Sequence, residues 1–294
     1  MKISYKKILV TGATGYIGSH VCKKLKYEGH LVTGCDINIY GKHNDIYQYV
    51  DEFLFADITE NKIHGEFDAV VHLAGRSIVP LSIKEPSEYY RVNTLGTLNL
   101  LQNISTDNFI FASSSSVFAM ASPYARSKAG AEDIIKEKAS GHTIFRFFNV
   151  SGTDGINKQI GPATHLIRVA ALAASGKIDH IKIYGNDYDT RDGTCIRDYI
   201  HVEDVSDAIV NAIELGPSNT PYECLGSKKG FTVNEVIDTM EEVTGEKITR
   251  IVSPRRKGDS IVNIVDKLSN RVQINKSLKD MCYDQYKLER KFDA

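Results

Sequence analysis

A tyrosine and a lysine four residues apart, Tyr124 and Lys128, are the side chains in this sequence best suited to proton transfer. Pro123 precedes them and is typical of the first turn of a helix, where residues four apart lie on one face. A tyrosine phenol has an ordinary pKa of about 10, and a neighbouring ammonium favours its ionised form. The pair could therefore serve as a base near neutral pH.

Four consecutive serines, Ser113 to Ser116, follow an apolar run at Phe109 to Phe111 and come shortly before this pair. Open α/β sheets bind ligands at the carboxyl ends of their strands, so a serine there could bridge a substrate oxygen and the phenol. The alternative for the serines is an ordinary loop. A second copy of the pattern, Tyr283 to Lys287, lacks this context and is typical of a solvated helix face.

Three glycines with the spacing Gly-x-x-Gly-x-x-Gly, at Gly12, Gly15 and Gly18, follow the first predicted strand. Apolar residues recur every four positions from Ile17 to Leu25, so the glycines lie where a strand turns into a helix. Glycine permits a tight turn and lets backbone N–H groups approach a pyrophosphate, whose charge is favoured at a helix N-terminus. The loop predicts a dinucleotide site, although three glycines can also form a plain turn.

Asp36 ends the second predicted strand, where a carboxylate can accept hydrogen bonds from an adenosine ribose and repel a 2′-phosphate. This position favours NAD over NADP, although an aspartate at a strand end is also a common turn residue. Asp57, after the strand Phe53 to Phe55, is a weaker candidate for binding the adenine amino group.

Short β-branched or aromatic runs alternate with longer amphipathic segments over the first 148 residues. This alternation predicts an α/β fold with a Rossmann-type doubly wound parallel sheet. The predicted strands are Ile8 to Val10, Leu31 to Thr33, Phe53 to Phe55, Ala69 to His72, Phe109 to Phe111 and Thr143 to Phe147. A helix is predicted from Tyr89 to Leu101, with an apolar stripe at every third residue that packs on the sheet or on a partner subunit.

The pattern changes after Asn149, where glycine-containing loops separate isolated strands and helices. The elements predicted there are strands at Ile181 to Tyr184 and Tyr199 to Val202, and helices at 203–215 and 232–244. We therefore expect an NAD-binding domain at 1–149 and a smaller C-terminal α/β substrate-binding lobe at 150–294, partly interleaved with the first. A cleft is expected where two such lobes meet.

The composition disfavours several classes of function. The 294 residues carry a formal net charge of -1 with both signs interspersed, so no basic surface for nucleic acid is predicted. The five cysteines form no Cys-x-x-Cys pair and the nine histidines no His-x-x-x-His pair, so neither disulfides nor a metal site are predicted. No apolar run approaches the ~20 residues that span a bilayer, and no membrane association is expected. We expect a cytoplasmic protein.

These features, in this order, resemble the extended short-chain dehydrogenase/reductase family, and within it the UDP-glucose 4-epimerases, over nearly the whole chain. The most specific matching stretches are Ile183 to Tyr188 and Asp192 to Val202. Further matching segments are Val71 to Gly75, Tyr89 to Asn93, Arg146 to Asn149 and Arg255 to Asp259.

The resemblance implies that Ser114, Tyr124 and Lys128 form the catalytic trio. Together with the glycine loop, it assigns these residues to the cofactor: Gly12, Gly15, Tyr16, Ile17, Gly18, Asp36, Asp57, Ile58, Leu73, Ala74, Gly75, Asn93, Tyr124 and Lys128. The residues that it assigns to the substrate are Ser114, Tyr124, Asn149, His165, Leu166, Tyr184, Arg197, Arg256 and Asp259. Forked arginine donors suit a diphosphate, and a carboxylate can accept from ribose hydroxyls.

The reaction that the resemblance implies inverts C4 of a UDP-hexose with NAD and without net oxidation. Tyr124 removes the proton of the sugar 4-hydroxyl as hydride passes from C4 to NAD; the 4-keto ring then turns over, and hydride returns to its opposite face. The cofactor stays bound and carries the hard chemistry, while the protein orients the reactants. The resemblance also implies a homodimer through helices at 87–104 and 125–138.

Several departures from the family pattern leave the sugar open. The connection Val117 to Pro123 is shorter than usual, which implies a more open rim around the site. Ser77 stands where a cofactor-facing lysine is frequent, and His165 replaces an asparagine near the substrate diphosphate. Asn263 replaces a bulky tyrosine of some glucose-specific members, which leaves room for an N-acetyl group. UDP-GlcNAc and UDP-GalNAc are therefore an alternative substrate pair.

Three other activities on this scaffold are alternatives. A nucleotide-sugar 4,6-dehydratase commonly needs an Asp-Glu pair beside the active hydroxyl, where this chain has Ser115 and Ser116. The same absence of a carboxylate disfavours decarboxylation of UDP-glucuronate, whereas 4-epimerization of that sugar stays open. A non-catalytic NAD-binding sensor is the remaining alternative, but such proteins usually lose the tyrosine or the lysine.

Overall fold

The computed structural model describes residues 5–37, 44–156, 159, 163–256 and 260–291. It divides into two compact units, Met1–Phe147 with Ser206–Glu223, and Phe148–Val205 with Cys224–Ala294. The chain therefore leaves the first unit after Phe147, returns to it at Ser206 and leaves it again after Glu223.

Helices and strands alternate along the chain. The α-helices are Tyr16–Tyr27, Val79–Lys84, Pro86–Tyr90, Gly96–Asn103, Pro123–Lys138, Leu166–Ala174, Val202–Leu215, Val233–Thr244 and Leu278–Lys291. The strands are Lys7–Thr11, Leu31–Asp36, Glu52–Phe55, Gly65–Glu66, Ala69–His72, Ile104–Ser105, Phe109–Ser114, His142–Phe147, Asn149–Ser151, Ile181–Tyr184, Ile196–His201, Glu223–Leu225, Gly230–Thr232, Arg250–Ser253 and Val262–Asn263. Short helical turns at Asn44–Tyr49, Arg91–Leu95 and Ser115–Phe118 complete the set for the described residues.

The central sheet of the first unit has the doubly wound order. Its parallel strands run, from one edge, Glu52–Phe55, Leu31–Asp36, Lys7–Thr11, Ala69–His72, Phe109–Ser114 and His142–Phe147, and a seventh strand begins at Glu223. In chain order these six strands read 3-2-1-4-5-6, with the switch point between the strands that end at Thr11 and His72. Thr11 and His72 are register partners, so the loops that follow them leave the sheet side by side. The predicted Rossmann-type fold is confirmed.

The helix Pro123–Lys138 begins where the sequence predicts. The Ser122 hydroxyl accepts from the Ala125 N–H at 3.1 Å, and Pro123 occupies a first-turn position that needs no N–H partner. Tyr124, Lys128 and Ile135 lie on its buried face, because residues four and seven apart share one side of a helix. The helix therefore carries both candidate acid–base groups on its buried side.

The apolar stripe predicted between Tyr89 and Leu101 is not the buried face. The structure buries Tyr89, Asn93 and Leu100, and Leu95 leaves 56% of its surface exposed. A helix turns by about 100° per residue, so a spacing of three winds around the axis instead of staying on one side. A π-helical segment, Arg91–Leu95, changes the phase further. The sheet therefore does not cover the whole stripe, and the alternative that the stripe packs on a partner subunit stays a prediction.

The second unit has a helical core of its own. Helices Leu166–Ala174, Val233–Thr244 and Leu278–Lys291 pack together around Ile167, Met240 and Met281. Ile181–Tyr184 pairs in parallel with Arg250–Ser253. Ile196–His201 pairs with Asn149–Ser151, Gly230–Thr232 and Val262–Asn263.

The predicted strand Tyr199 to Val202 is shifted in the structure. The strand runs over Ile196–His201, and Val202 already begins the next helix, Val202–Leu215. Apolar β-branched residues are compatible with both elements, so the boundary cannot be placed from local preference alone. Within the described ranges, no helix is long and apolar enough to cross a membrane.

Candidate active site

The glycine loop lies at the switch point of the sheet and has no room for side chains at two of its three glycines. Gly12 has a φ of 72°, and a Cβ there would lie 2.7 Å from the Ala74 nitrogen. A Cβ on Gly18 would lie 2.0 Å from the Gly12 carbonyl oxygen. The helix that begins at Tyr16 has no side-chain cap and no acidic residue in its first turn. This N-terminus suits a pyrophosphate, because the helix dipole and the first N–H groups favour an anion.

The loop after His72 is held close to Lys128. Gly75 lies there with no free space, since a Cβ would approach the Asn93 Oδ1 to 2.9 Å and the Lys128 Nζ to 3.2 Å. The Asn93 side chain accepts from the Arg76 N–H at 2.8 Å and donates to the Arg76 carbonyl at 3.0 Å. It also donates to the Ser127 Oγ at 2.9 Å, so the buried amide joins this loop to the catalytic helix.

The residues predicted to bind the adenosine already make different contacts within the protein. The Asp36 carboxylate accepts from the Thr14 N–H at 2.9 Å, which keeps the acid beside the glycine loop. One Asp57 oxygen accepts from the N–H and the hydroxyl of Thr59, a local turn of the kind that aspartate often forms. The Ile58 side chain belongs to the hydrophobic core of the first unit, so a cofactor could contact it only through its main chain.

Tyr124 and Ser114 lie together at the carboxyl end of the strand Phe109–Ser114. Burial raises the pKa of the Tyr124 phenol, the hydrogen bond with Ser114 lowers it, and Tyr89 raises it. Ser114 also accepts from the Ser116 N–H at 3.2 Å and from the Ser116 hydroxyl at 3.0 Å. The neighbouring Ser113 is occupied elsewhere, so the structure singles out Ser114 as the serine beside the phenol.

Lys128 is buried one helical turn after Tyr124. Its Nζ donates to the Ala112 carbonyl at 2.8 Å and lies 4.7 Å from the centre of the Phe111 ring. Burial lowers the pKa of Lys128 to about 8, against a smaller opposing effect of Glu132. Within the protein itself, burial is the largest influence on the Tyr124 pKa. That Lys128 helps to make the phenol a base stays a prediction.

A buried ion pair supports this site, and the sequence reasoning missed it. Glu132 accepts from the Arg146 Nε at 2.9 Å and from its Nη2 at 2.7 Å, and from the Ser113 hydroxyl at 2.6 Å. The Arg146 guanidinium lies over the Phe118 and Tyr222 rings, 4.6 and 3.8 Å from their centres. Glu132 follows Lys128 by four residues, and this spacing was the available signal.

The candidate substrate residues of the second unit form two groups. The Arg256 guanidinium lies 3.6 Å from the centre of the Tyr184 ring. Arg197 donates to the Ile196 carbonyl, and its strand partner in register is Asn263. Asn149 donates its side-chain amide to the Asp198 carbonyl at 2.8 Å. Asn149 and Arg197 therefore lie on paired strands, whereas Tyr184 ends a strand of a separate two-stranded sheet.

Asp198 is not an ion-pair partner of Arg197. Its buried carboxylate accepts from the N–H groups of Ser227, Lys228 and Val265. His165 lies exposed before the helix Leu166–Ala174 and does not cap it by a side-chain hydrogen bond. Asp259, the remaining candidate, lies outside the described residues.

The second tyrosine–lysine copy is confirmed as a solvated helix face. Tyr283 and Lys287 are exposed on Leu278–Lys291, and the Lys287 Nζ lies 5.2 Å from the Tyr283 ring centre. In the part of the chain that the structure describes, no group of three or more histidine, cysteine or acidic side chains could hold a metal ion.

The chain is similar to known proteins over most of its length. The model of the NAD dependent epimerase/dehydratase family matches residues 8–224. A UDP-glucose 4-epimerase of Azospirillum brasilense is 36% identical, over 86% of this chain and 82% of the relative.

Two solved structures cover nearly the whole chain. The UDP-glucose 4-epimerase of Stenotrophomonas maltophila, with bound NAD and formylated UDP-arabinopyranose, has a TM-score of 0.90 and 29% identity, covering 98% of this chain and 99% of that one. The UDP-Glc/GlcNAc 4-epimerase of Campylobacter jejuni has a TM-score of 0.79 and 32% identity, covering 97% and 99%. This chain belongs to the NAD-dependent epimerase/dehydratase family.

Proposed function

We propose that this protein is an NAD-dependent epimerase that inverts C4 of a UDP-hexose of the UDP-glucose/UDP-galactose type. The observation that carries the proposal is the buried Tyr124 phenol with Ser114 beside it and Lys128 one helical turn away, at the carboxyl end of a doubly wound sheet. The likeness to UDP-glucose 4-epimerases over 86% of the chain supports the choice of reaction.

The cofactor is assigned to the loops at the switch point. The cradle without space for Cβ atoms at Gly12 and Gly18 fits a pyrophosphate at the helix N-terminus, with Gly15, Tyr16 and Ile17 beside it. Asp36 binds the adenosine ribose, and Asp57 and Ile58 lie toward the adenine. Leu73, Ala74, Gly75 and Asn93 lie toward the nicotinamide half, together with Tyr124 and Lys128. NAD supplies a hydride acceptor in the oxidation and a hydride donor in the reduction.

Proton transfer is assigned to the chain's own residues. Tyr124 takes the proton of the sugar 4-hydroxyl and returns it after the ring has turned, and the Ser114 hydroxyl orients both oxygens. Burial raises the pKa of Tyr124, so its phenolate requires positive charge nearby. With NAD bound, Lys128 and the positive nicotinamide would supply that charge; in the protein itself the Lys128 ammonium donates to the Ala112 carbonyl.

The nucleotide is assigned to the second unit. Tyr184 offers a ring face for uracil, and Arg197 and Arg256 offer forked donors to the diphosphate. The uncapped helix N-terminus at Leu166, next to His165, favours the same anion. Asn149 and Asp259 complete the assigned set, toward the sugar and the ribose.

The breadth of the sugar pocket is a second part of the proposal. Asn263 is the strand partner of Arg197 and is shorter than a tyrosine at that position, which favours acceptance of a C2 N-acetyl group. The relative from Campylobacter jejuni is named a UDP-Glc/GlcNAc 4-epimerase. UDP-GalNAc and UDP-GlcNAc are therefore expected as further substrates. Dehydration is not expected, because the turn Ser115–Phe118 offers no carboxylate beside Ser114.

The test is the conversion of UDP-galactose and UDP-GalNAc, supplied separately to purified protein, with detection of the C4 epimers. Tyr124→Phe should retain the fold and bound NAD and lose activity by about 10²- to 10⁴-fold, the usual contribution of a positioned base. Tyr283→Phe, in the exposed second copy, is the matched control and should remain active. A Tyr124→Phe variant near the wild-type rate would refute the assigned base, and bound NAD without turnover of any UDP-hexose would favour the sensor.

A homodimer through the helices at 87–104 and 125–138 is also proposed. Leu95 and Ile83 are exposed apolar residues close to the first of these helices, which supports a protein partner there. Light scattering should give a dimer for the wild type and a monomer for Leu95→Glu. A wild-type monomer at micromolar concentration would contradict the proposal. All five cysteines are free and buried, which supports a cytoplasmic location.

A further inference from the structure

A buried hydrogen-bond chain passes through His72, a residue to which neither the reaction nor the cofactor contacts assign a role. His72 ends the strand beside the glycine loop and is fully buried. Its Nδ1 lies 2.7 Å from the Thr11 Oγ1, and its Nε2 lies 2.9 Å from the Thr97 Oγ1. Both ring nitrogens therefore have a hydroxyl partner, from two segments far apart in the sequence.

The two hydroxyls fix the direction of the chain. Thr97 donates its single hydroxyl hydrogen to the Asn93 carbonyl at 2.7 Å, so toward His72 it can only accept, and the imidazole must carry its hydrogen on Nε2. A neutral imidazole then accepts at Nδ1, so Thr11 donates to it. The Thr11 oxygen in turn accepts from the Ala74 N–H at 3.3 Å.

The surroundings keep the imidazole neutral. Burial and, to a smaller extent, the charge of Lys128 lower the pKa of His72 to about 3. Phe111 stacks on the ring with 5.6 Å between centres, and Phe109 lies tilted to it at 5.7 Å. Lys128 is the charged group that faces it, and a second positive charge would be unfavourable there.

The ends of this chain meet the loop Leu73–Arg76. At one end the Ala74 N–H donates to the Thr11 hydroxyl. At the other the Thr97 hydroxyl donates to the Asn93 main-chain carbonyl, and the Asn93 side chain separately binds the N–H and the carbonyl of Arg76. Gly75 lies between these two points, beside the Lys128 ammonium. His72 is therefore linked to Ala74 through Thr11 and to Arg76 through Thr97 and Asn93.

We propose that His72, as the neutral Nε2–H tautomer, is a positioning residue that holds the Leu73–Arg76 loop beside Lys128 for dinucleotide binding. The inference rests on the cofactor role proposed for Leu73, Ala74 and Gly75. It does not depend on which sugar is turned over. A histidine that only fills the core would satisfy its own polar atoms without affecting the affinity for NAD.

The variants Thr97→Val and Thr97→Ser test the hydrogen bond that the His72 Nε2–H donates to the Thr97 hydroxyl. Thr97→Val leaves the Nε2–H without an acceptor and should raise the Kd for NAD about tenfold or more, whereas Thr97→Ser should restore it. Thr143→Val is the matched control, because Thr143 is equally buried in the same unit and its hydroxyl accepts from the Ser218 N–H. It should leave the Kd unchanged.

Affinity is measured by calorimetry on protein freed of nucleotide, without any sugar substrate. Equal Kd values for Thr97→Val and Thr143→Val would overturn the proposal. Nitrogen NMR of the wild-type imidazole supplies a measurement that needs no variant: His72 should show a protonated Nε2 and an unprotonated Nδ1, unchanged from pH 5.5 to 8.5. The opposite tautomer, or a titration in that range, would also overturn it. Normal NAD binding without epimerization would reject the proposed reaction and leave this inference standing.

Discussion

Replacing the buried catalytic lysine should stabilise the protein while abolishing its activity. Lys128 is 5% exposed, and its ammonium donates a hydrogen bond to the Ala112 carbonyl. Lys128→Met keeps most of the apolar stem, removes the charge and leaves the helix Pro123–Lys138 intact. We therefore expect a variant with lost epimerase activity and a higher free energy of unfolding at neutral pH.

The size of this increase in the free energy of unfolding follows from the pKa of Lys128. Burial lowers the pKa of Lys128 from 10.5 to about 8, and each pKa unit corresponds to about 1.4 kcal/mol. Below pH 8 the lysine is protonated in both the folded and the unfolded chain. Burial of the ammonium then lowers the free energy of unfolding of the wild type by the full amount, about 3 kcal/mol. Between pH 8 and 10.5 the unfolded chain binds more protons than the folded one, so wild-type stability rises with pH. The advantage of Lys128→Met is therefore at most about 3 kcal/mol at pH 7 and shrinks across this window.

The assay is urea unfolding of nucleotide-free protein at pH 7 and pH 9.5, read as the free energy of unfolding. Lys138→Met, an exposed lysine on the same helix, is the control and should change stability little at either pH. The loss of the Ala112 hydrogen bond reduces the gain but does not reverse its dependence on pH. A Lys128→Met variant no more stable than the wild type at pH 7, or an advantage equal at both pH values, would refute the reasoning.

Three further predictions concern the supports of the site. Glu132→Gln should lower the free energy of unfolding by about 3–5 kcal/mol, because it leaves the buried Arg146 guanidinium without its anion. Glu137 is exposed on the same helix, so Glu137→Gln should change the free energy of unfolding little when both variants are denatured in parallel. Gly18→Ala should abolish NAD retention, since its Cβ would lie 2.0 Å from a main-chain oxygen; NAD bound at the wild-type level after purification would contradict this. Asp36→Asn should reduce the preference for NAD over NADP about tenfold or more in binding assays, and an unchanged ratio would remove Asp36 from the ribose site.

The sequence by itself predicted the parts of the site that depend on neighbouring residues in the chain. The glycine loop between the strand ending at Thr11 and the helix starting at Tyr16 follows from local spacing, because turns and helix starts depend on a few consecutive residues. The same holds for Tyr124 and Lys128, which one helix carries on one face. The doubly wound class of sheet was also predicted, because right-handed connections allow only a few arrangements of alternating strands and helices.

Two elements predicted from the sequence pattern differ from the structure. The stripe that includes Leu95 was predicted to pack on the sheet or on a partner subunit, and the structure leaves Leu95 exposed. A spacing of three winds around a helix, so only packing decides which face turns inward. The strand at Ile196–His201 was placed three residues late, because its residues suit a strand and a helix start alike.

The tertiary structure decided the protonation and the hydrogen bonding of the site. Burial raises the pKa of Tyr124, and the Lys128 ammonium donates to the Ala112 carbonyl, neither of which follows from their spacing in the sequence. The carboxylate of Glu132 accepts from the Ser113 hydroxyl, which leaves Ser114 as the serine beside the phenol. The chain through His72 joins segments 61 and 25 residues apart. Such contacts depend on strand register and helix packing, which no local pattern encodes, so the sequence determined which groups are available and the fold determined their partners and charge.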